Sequence, residues 1–181
     1  MHASLVPHPA MAAGPVRSIE VDVSRVEPAE LTLRYRVVGK IGELVLPDSA
    51  PPGRTDELWR QTCFEAFLQL RAGYCEFNLS PSSQWAAYRF DSYRCGLAVL
   101  DVPAPAIRTE VGDNELVVRA LVDLAGLESL EAEANWQLAL AAVIEQKDGR
   151  LSYWALAHPA GSPDFHHRDC FRLHLPPAKQ R

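Results

Sequence analysis

Two short segments in the middle of the chain carry acidic and amide side chains at alternating positions. Along residues 62–70, Glu65 and Gln69 alternate with apolar residues, and along 75–80 Glu76 and Asn78 do the same. Because successive side chains of a β-strand point to opposite faces, this alternation predicts two strands with their apolar side chains on one face. Carboxyl and amide groups gathered on the other face suit the hydroxyl groups of a polar ligand.

The apolar residues of the two segments also predict how the strands pair. Residues that face each other across two strands share a face, so the apolar sets meet only where paired residue numbers sum to an odd value, as for Leu68 with Phe77. This pairing leaves a loop over residues 71–74. A solvent-facing sheet surface explains the polar face equally well, and both interpretations stay open at this point. The residues on that face are Glu65, Phe67, Gln69, Glu76 and Asn78.

Aromatic and arginine side chains crowd the segments on either side of this predicted hairpin. Aromatic rings contact the C–H surface of a sugar, while carboxylate, amide and guanidinium groups bind its hydroxyls. The combination indicates a polar ligand with apolar faces, typically a saccharide. We hypothesise that Trp59 stacks on the ligand and that Arg94 acts as a charged clamp. The flanking residues are Trp59, Trp85, Tyr88, Arg89, Tyr93 and Arg94.

Composition and charge restrict the class of partner. Hydrophobic residues make up 48% and charged residues 23% of the 181-residue chain, and the formal net charge is −5. A nucleic-acid groove and a site for an anionic membrane surface both need a basic patch, so both are excluded as partners. Residues 1–16 lack the features of a signal peptide, and no apolar run approaches the ~18 residues of a membrane span. We therefore expect a cytoplasmic protein whose four cysteines are free thiols.

Many short strands separated by turn residues predict an all-β fold. Proline clusters divide the chain, Asp148 and Gly149 form a hairpin signal, and only residues 124–132 have leucines at helical spacing. The fold class indicated is an antiparallel β-sandwich or jelly roll, over residues 17–176, with a flexible segment at 1–16 and a tail at 177–181. The predicted strands are 17–23, 31–39, 43–47, 62–70, 75–80, 85–90, 107–111, 115–122, 136–146, 151–157 and 170–175.

A late segment, residues 158–171, concentrates three histidines in a loop rich in proline and glycine. Adjacent His166 and His167 diverge in an extended chain, which disfavours a shared metal ion. Hydrogen bonds within the loop are the simpler interpretation, and we expect His158 and His166 to add ligand contacts. Trp154, just before this segment, fits either the core or the site.

Three motifs in order carry a family resemblance that covers roughly residues 30–175. They are "RTDELWRQTCFEAFLQ", "YCEFNLSPSSQWAAYRFDSYRCGL" and "WALAHPAGSPDFHHRDCF". Together they resemble the bacterial DOMON-like proteins related to family 9 carbohydrate-binding modules. The resemblance implies a β-sandwich that binds sugars or haem without catalysis. It also implies acidic site positions at Glu65 and Glu76, followed by Asn78, with Trp59 and Trp154 as members of an aromatic clamp.

We predict a non-catalytic domain that binds a saccharide or sugar derivative, with no cofactor. Haem is a competing ligand, but the only methionines, Met1 and Met11, precede the first predicted strand, which leaves histidine ligation alone. Some relatives support a loop with calcium. Two further functions fit the sequence: an enzyme that acts on a sugar or cell-wall precursor through Glu65 and Glu76, and a purely structural or partner-binding domain. The histidines available to haem are His158, His166, His167 and His174.

Overall fold

A computed structural model describes residues 1–11, 14–127, 130–131 and 133–178 of the chain. It confirms the antiparallel β-sandwich predicted from the spacing of the strands. The strands are β1 (His2–Pro7), β2 (Val16–Ser24), β3 (Glu30–Gly39), β4 (Gly53–Arg54), β5 (Cys63–Gln69), β6 (Tyr74–Leu79), β7 (Gln84–Phe90), β8 (Ala98–Val99), β9 (Ala106–Val111), β10 (Glu115–Asp123), β11 (Trp136–Glu145), β12 (Leu151–Ala155) and β13 (Leu173–Leu175). Short 3₁₀ turns occupy Ile41–Glu43, Leu58–Arg60 and Arg168–Cys170.

The strands follow one hydrogen-bonded path that curls into two layers. The order is β4-β7-β6-β5-β11-β12-β1-β2-β3-β10-β9, with β8 attached to β7 and β13 attached to β11. We call β4–β8 and β11–β13 the front sheet, and β2, β3, β9 and β10 the back sheet. Strand β1 joins them, because residues 2–5 pair with β2 and residues 6–7 pair with β12.

Side-chain periodicity shows how each strand is covered. Along β3, buried Leu31, Leu33, Tyr35 and Val37 alternate with partly exposed residues, as expected for a strand with one face in the core. Strand β11 is instead buried along nearly its whole length. Its almost continuous apolar sequence fits this position, because the front sheet is covered on both faces.

Tyr35 links the two layers at the strand that carries the predicted site. It is fully buried, its ring lies 5.0 Å from that of Phe64 between centroids, and its hydroxyl donates a 2.8 Å hydrogen bond to the backbone carbonyl of Glu65. A tyrosine that is buried in an apolar core needs such a partner, because an unsatisfied hydroxyl is costly. This contact therefore ties β3 of the back sheet to β5 of the front sheet.

We expect Tyr35→Phe to lower the free energy of unfolding by about 1–2 kcal/mol, because the hydrogen bond to the Glu65 carbonyl is lost. Urea unfolding followed by fluorescence measures this change. The matched control is Tyr153→Phe, since the Tyr153 hydroxyl makes no hydrogen bond with the described residues. Equal stability changes in the two variants would show that the inter-sheet hydrogen bond contributes nothing.

A second apolar cluster covers the outer face of the front sheet. The segment 156–172, which we call the covering segment, crosses this face and places Phe165, Cys170 and Phe171 against it. Phe67 of β5 lies beneath, with its ring centroid 5.1 Å from that of His166 and 6.4 Å from that of Phe171. The histidine-rich loop therefore covers part of the outer face of the front sheet.

Several boundaries differ from the sequence predictions. Residues 2–7, assigned to the flexible segment 1–16, form β1, because this segment pairs with two strands that are distant in sequence. Predicted strand 43–47 is instead the end of a 3₁₀ turn followed by one bridge, from Leu44 to Gln146, and Pro47 has no amide hydrogen with which to continue the pairing. Predicted strand 170–175 contributes only its last three residues as β13.

The one predicted helix, at 124–132, is partly outside the described residues, which leave out 128, 129 and 132. Its described start, 124–127, forms a turn in which the Leu127 amide donates to the Leu124 carbonyl. The tail at 177–181 also extends beyond the described residues, which end at 178. Within the described part of the chain, no helix has the length and apolar character of a membrane span. All four cysteines are free thiols, and only Cys95 is exposed.

Candidate functional site

A cleft of about 860 Å³ opens on the outer face of the front sheet. Its volume lies within the range of small-molecule binding sites. Glu65 and Glu76 lie on the sheet strands, aromatic side chains from two strands and the covering segment stand beside them, and residues 56–59 and 97–99 complete the rim. The lining residues are Met11, Asp56, Glu57, Trp59, Glu65, Glu76, Tyr88, Phe90, Arg94, Leu97, Ala98, Val99, Val143, Tyr153, Pro163, Phe165 and His166.

A second cleft, of about 620 Å³, lies at the turns that contain residues 39–43 and 146–150, and it has a different character. It is lined by glycine, proline and charged residues, including Arg17, Lys40 and Lys147, and by no aromatic ring. Its acids pair locally, Glu43 with Lys40 at 3.2 Å and Asp148 with Arg150 at 2.6 Å. The aromatic cleft on the front sheet is therefore the stronger candidate for a ligand site.

Strand register creates the floor of the front-sheet cleft. Glu65 lies opposite Asn78 on β6 and opposite Ala141 on β11, and Glu76 lies opposite Phe67 on β5 and opposite Tyr88 on β7. The two glutamates are therefore diagonal neighbours on one face, as the apolar pattern predicted. The small side chain of Ala141 leaves space beside Glu65.

The predicted pairing has the correct parity but is displaced by two residues. Leu68 pairs with Cys75 rather than with Phe77, and the loop covers 70–73. Burial of the apolar side chains fixes which face each residue occupies. The turn between the strands fixes the two-residue displacement of the pairing. Gly73 has φ of +72°, and a Cβ there would lie 1.9 Å from the carbonyl oxygen of Phe90, so only glycine fits this position.

Glu76 is held by Asn78 and lies beside a hydrogen-bonded pair, Tyr74 and His166. The Asn78 Nδ2 donates to its Oε1 at 2.6 Å. The Tyr74 hydroxyl accepts from the Arg94 amide and lies 2.8 Å from His166 Nδ1. His166 Nε2 lies 3.8 Å from Glu76 Oε2. Burial lowers the pKa of His166 to about 4, so the ring is neutral at physiological pH.

Glu65 differs from its neighbour because its carboxyl group makes no hydrogen bond or ion pair with the described residues. The residue is only 3% exposed and lines the cleft. Burial, reinforced by the charge of Glu76, raises the pKa of Glu65 well above its ordinary value. Burial also raises the pKa of Glu76, against the opposing effects of Asn78 and Arg94. A protonated Glu65 can donate a hydrogen bond while Glu76 accepts one.

Ion pairs hold the rim. Arg94 Nη2 donates to Asp164 Oδ1 at 2.8 Å, and Asp164 also accepts hydrogen bonds from the Tyr93 hydroxyl and, at 3.1 Å, from the His166 amide. The Tyr88 hydroxyl donates to Asp56 at 2.7 Å. Burial, with this hydrogen bond, raises the pKa of Tyr88 to about 12. These contacts connect the β7–β8 turn, the covering segment and residues 56–59 around the opening.

The structure brings five of the eight predicted site residues to the cleft: Trp59, Glu65, Glu76, Arg94 and His166. Asn78 is fully buried and holds Glu76 from below. Trp154 and His158 lie elsewhere. Trp154 pairs with Ala142 and faces the core between the sheets, and the His158 ring packs edge-on against His8 with its Nε2 2.9 Å from the Val6 carbonyl. The alternation of β12 turns Trp154 away from the cleft, and the contact with β1 holds His158 outside it.

Sequence reasoning missed part of the wall. Tyr153 precedes Trp154 in β12, and strand alternation places it on the cleft face once the core face is known. Phe165 lies beside His166, yet nothing local shows that its ring packs against the sheet. Leu97 and Val99 are 62% and 63% exposed, and no pattern in the sequence distinguishes them from ordinary turn residues.

The donor set of the cleft does not suggest a metal centre. Across the described residues there is no group of three or more histidine, cysteine, aspartate or glutamate side chains that could hold a metal ion. Of the four histidines considered for haem, only His166 lines the cleft, and its Nδ1 is occupied by Tyr74.

Fold and geometry together define a β-sandwich with a cleft on the outer face of one sheet. Its fold is similar to a family 9 carbohydrate-binding module from Caldicellulosiruptor kristjanssonii in complex with glucose, with a TM-score of 0.56 and 11% identity over 83% of this chain and 71% of that one. The same kind of module from this organism, in complex with cellotriose, gives 0.51 and 14% over 83% and 70%. At such identities the similarity establishes the fold.

A third solved structure, from Bacteroides uniformis and described as a candidate carbohydrate-binding protein, has a TM-score of 0.65 and 11% identity over 94% of this chain and 84% of that one. No protein-family model and no curated protein sequence matches the chain. The resemblance drawn from the three sequence motifs is thus supported in its fold, through the family 9 modules.

Proposed function

We propose that this protein is a non-catalytic binding domain that recognises a saccharide or sugar derivative in the front-sheet cleft. The observation that carries the proposal is the pair of buried acids, Glu65 and Glu76, on a floor enclosed by aromatic side chains. Aromatic surface and a few fixed polar groups are what a sugar requires. The fold neighbours, two of which hold glucose or cellotriose, support the same ligand class. A relationship to DOMON-like proteins stays a prediction.

Each cleft residue has a role in this proposal. The Trp59 ring is 48% exposed at the rim and stacks on an apolar sugar face. Glu65 and Glu76 form hydrogen bonds to polar groups of the sugar from the cleft floor. Arg94 uses Nε and Nη2 for Asp164, so Nη1 is the guanidinium nitrogen that serves the ligand.

We propose binding rather than hydrolysis for these acids. A glycosidase uses one carboxyl group to protonate the leaving group and a second to attack or to activate water. Glu65 and Glu76 are diagonal neighbours on one sheet face, and in our proposal both contact polar groups of the bound sugar.

Glu76→Ala tests the proposal directly. With a saccharide that raises the melting temperature of the wild-type protein, we expect the variant to bind at least about tenfold more weakly, because a hydrogen bond to a charged group is worth about 1.5–3 kcal/mol. A panel of mono- and oligosaccharides screened by thermal shift selects the ligand, and titration calorimetry measures the affinity.

The control is Glu110→Ala, which removes an exposed carboxylate on β9 of the back sheet. It should bind like the wild type. A panel without any saturable shift would remove the saccharide function, and unchanged affinity in a folded Glu76→Ala protein would remove this cleft as its site.

A further inference from the structure

Neither acid on the cleft floor forms an ion pair with an arginine or lysine of the described residues. Of the charged residues in the lining, Glu57 pairs with Arg60 at 2.8 Å and Asp56 with Arg54 at 2.9 Å. Arg94, the one guanidinium in the lining, pairs with Asp164. Every rim charge therefore has an opposite partner, whereas the floor acids, Glu65 and Glu76, pair with no arginine or lysine among the described residues.

The carboxyl group of Glu65 indicates most clearly that a ligand group belongs in the cleft. Its side chain is buried, lines the cleft and makes no hydrogen bond with the described residues, although a buried carboxyl group without a partner is costly. Glu76 lies diagonally across the β5–β6 pair, and diagonal residues are about 7–8 Å apart, so that two carboxyl groups can approach one ligand atom.

The walls suit a cation as well. The cleft is bounded by the rings of Trp59, Tyr88, Phe90, Tyr153 and Phe165. Aromatic faces attract cations, and tryptophan and tyrosine do so most strongly. Acids on the floor and rings around them form a site for a small ammonium group.

We propose that the ligand is an amino sugar whose protonated amino group binds between Glu65 and Glu76. This inference rests on the proposed saccharide function and adds the chemical class of the sugar. The ammonium N–H groups donate to both carboxylates, and the carbon skeleton of the sugar contacts the aromatic walls.

Binding of such a ligand expels a proton. In the free protein, burial and the charge of Glu76 raise the pKa of Glu65 and so favour its protonated form, and the groups that face the pair are the neutral His166 imidazole, the Asn78 amide and the Arg94 guanidinium. When the ammonium enters, Glu65 gives its proton to the buffer and becomes a carboxylate that accepts an ammonium N–H. Arg94 keeps its pair with Asp164 throughout.

The test is titration calorimetry of the full chain with glucosamine, glucose and N-acetylglucosamine at about pH 6, where a free amino group is protonated. We expect glucosamine to bind at least about tenfold more tightly than the two neutral sugars. Its binding enthalpy should be more exothermic in Bis-Tris, which buffers at this pH and has a larger enthalpy of protonation, than in phosphate, because the released proton is taken up by the buffer. The neutral sugars should show no such buffer dependence.

Two variants complete the experiment. Glu65→Gln should remove both the preference for glucosamine and the buffer dependence, whereas Glu110→Gln, on the back sheet, should preserve both. Equal affinity for the three sugars without proton release would overturn the amino-sugar inference and leave the saccharide function intact. Absence of binding by all three sugars and by the wider saccharide panel would overturn both.

Discussion

Phe67→Ala is expected to lower the free energy of unfolding by about 3–5 kcal/mol, which is the usual cost of removing a fully buried phenylalanine ring. In a chain of this length, that corresponds to a fall in melting temperature of roughly 2–4 °C for each kcal/mol. Phe67 is unusual because it belongs to the cluster on the outer face rather than to the core between the sheets. Its ring contacts both His166 and Phe171, so its loss should loosen the covering segment and the cleft wall.

Phe64→Ala is the matched control for this prediction. Phe64 lies in the same strand, is equally buried and faces the core between the sheets. Urea unfolding should show similar losses for both variants. Native-state hydrogen exchange should separate them, since only Phe67→Ala should selectively accelerate the amides of Cys170 and Phe171, which donate within the covering segment. Equal acceleration in both variants would show that Phe67 does not anchor the segment.

Glu65→Gln is expected to stabilise the protein at neutral pH and to weaken ligand binding. Because the pKa of Glu65 is raised on folding, the folded protein binds more protons than the unfolded chain between the ordinary pKa of 4.5 and the folded pKa. The free energy of unfolding contributed by this group therefore falls as pH rises through that window. The variant should match the wild type near pH 4.5 and exceed it by at least about 1 kcal/mol at about pH 8.

Comparison of the two proteins across pH isolates this effect. Burial lowers the pKa of His166 from 6.5 to about 4, so its contribution to stability is present above that window and is lost as pH falls through it. Both proteins share this contribution, and it cancels in their difference. Thermal unfolding at several pH values checks the prediction, with Glu110→Gln expected to change stability by less than about 0.5 kcal/mol throughout. A difference that does not vary with pH would show that Glu65 is not a buried protonated acid.

Both predictions concern the outer face of the front sheet. An acid that is costly for the fold is kept in the cleft, as is often found where function rather than stability selects a residue. A solvent-facing sheet surface, which explained the polar alternation equally well at the level of sequence, does not bury Glu65 and Glu76 to 3% and 6% exposure. The covering segment and its aromatic side chains pack against the rest of this face.

The sequence by itself determined the strands and their faces. Alternation along β5 and β6 was enough to place Glu65, Phe67, Glu76 and Asn78 together, because burial of apolar side chains is a strong constraint that acts on each strand separately. The same reasoning predicted most other strands within one or two residues. It missed β1, which lies in the segment expected to be flexible, and it missed β4 and β8, since two-residue strands have no periodicity.

Only the tertiary structure decided what surrounds the polar face. The conformation of Gly73 sets the register within the correct parity, and pairing of β1 with two distant strands removes His158 from the site. Trp154 is assigned to the core and Tyr153 to the cleft because β11 fixes which face of β12 is buried. Phe165 reaches the cleft through a loop that folds back over a sheet formed earlier in the chain. These contacts join residues far apart in sequence, where local periodicity carries no information.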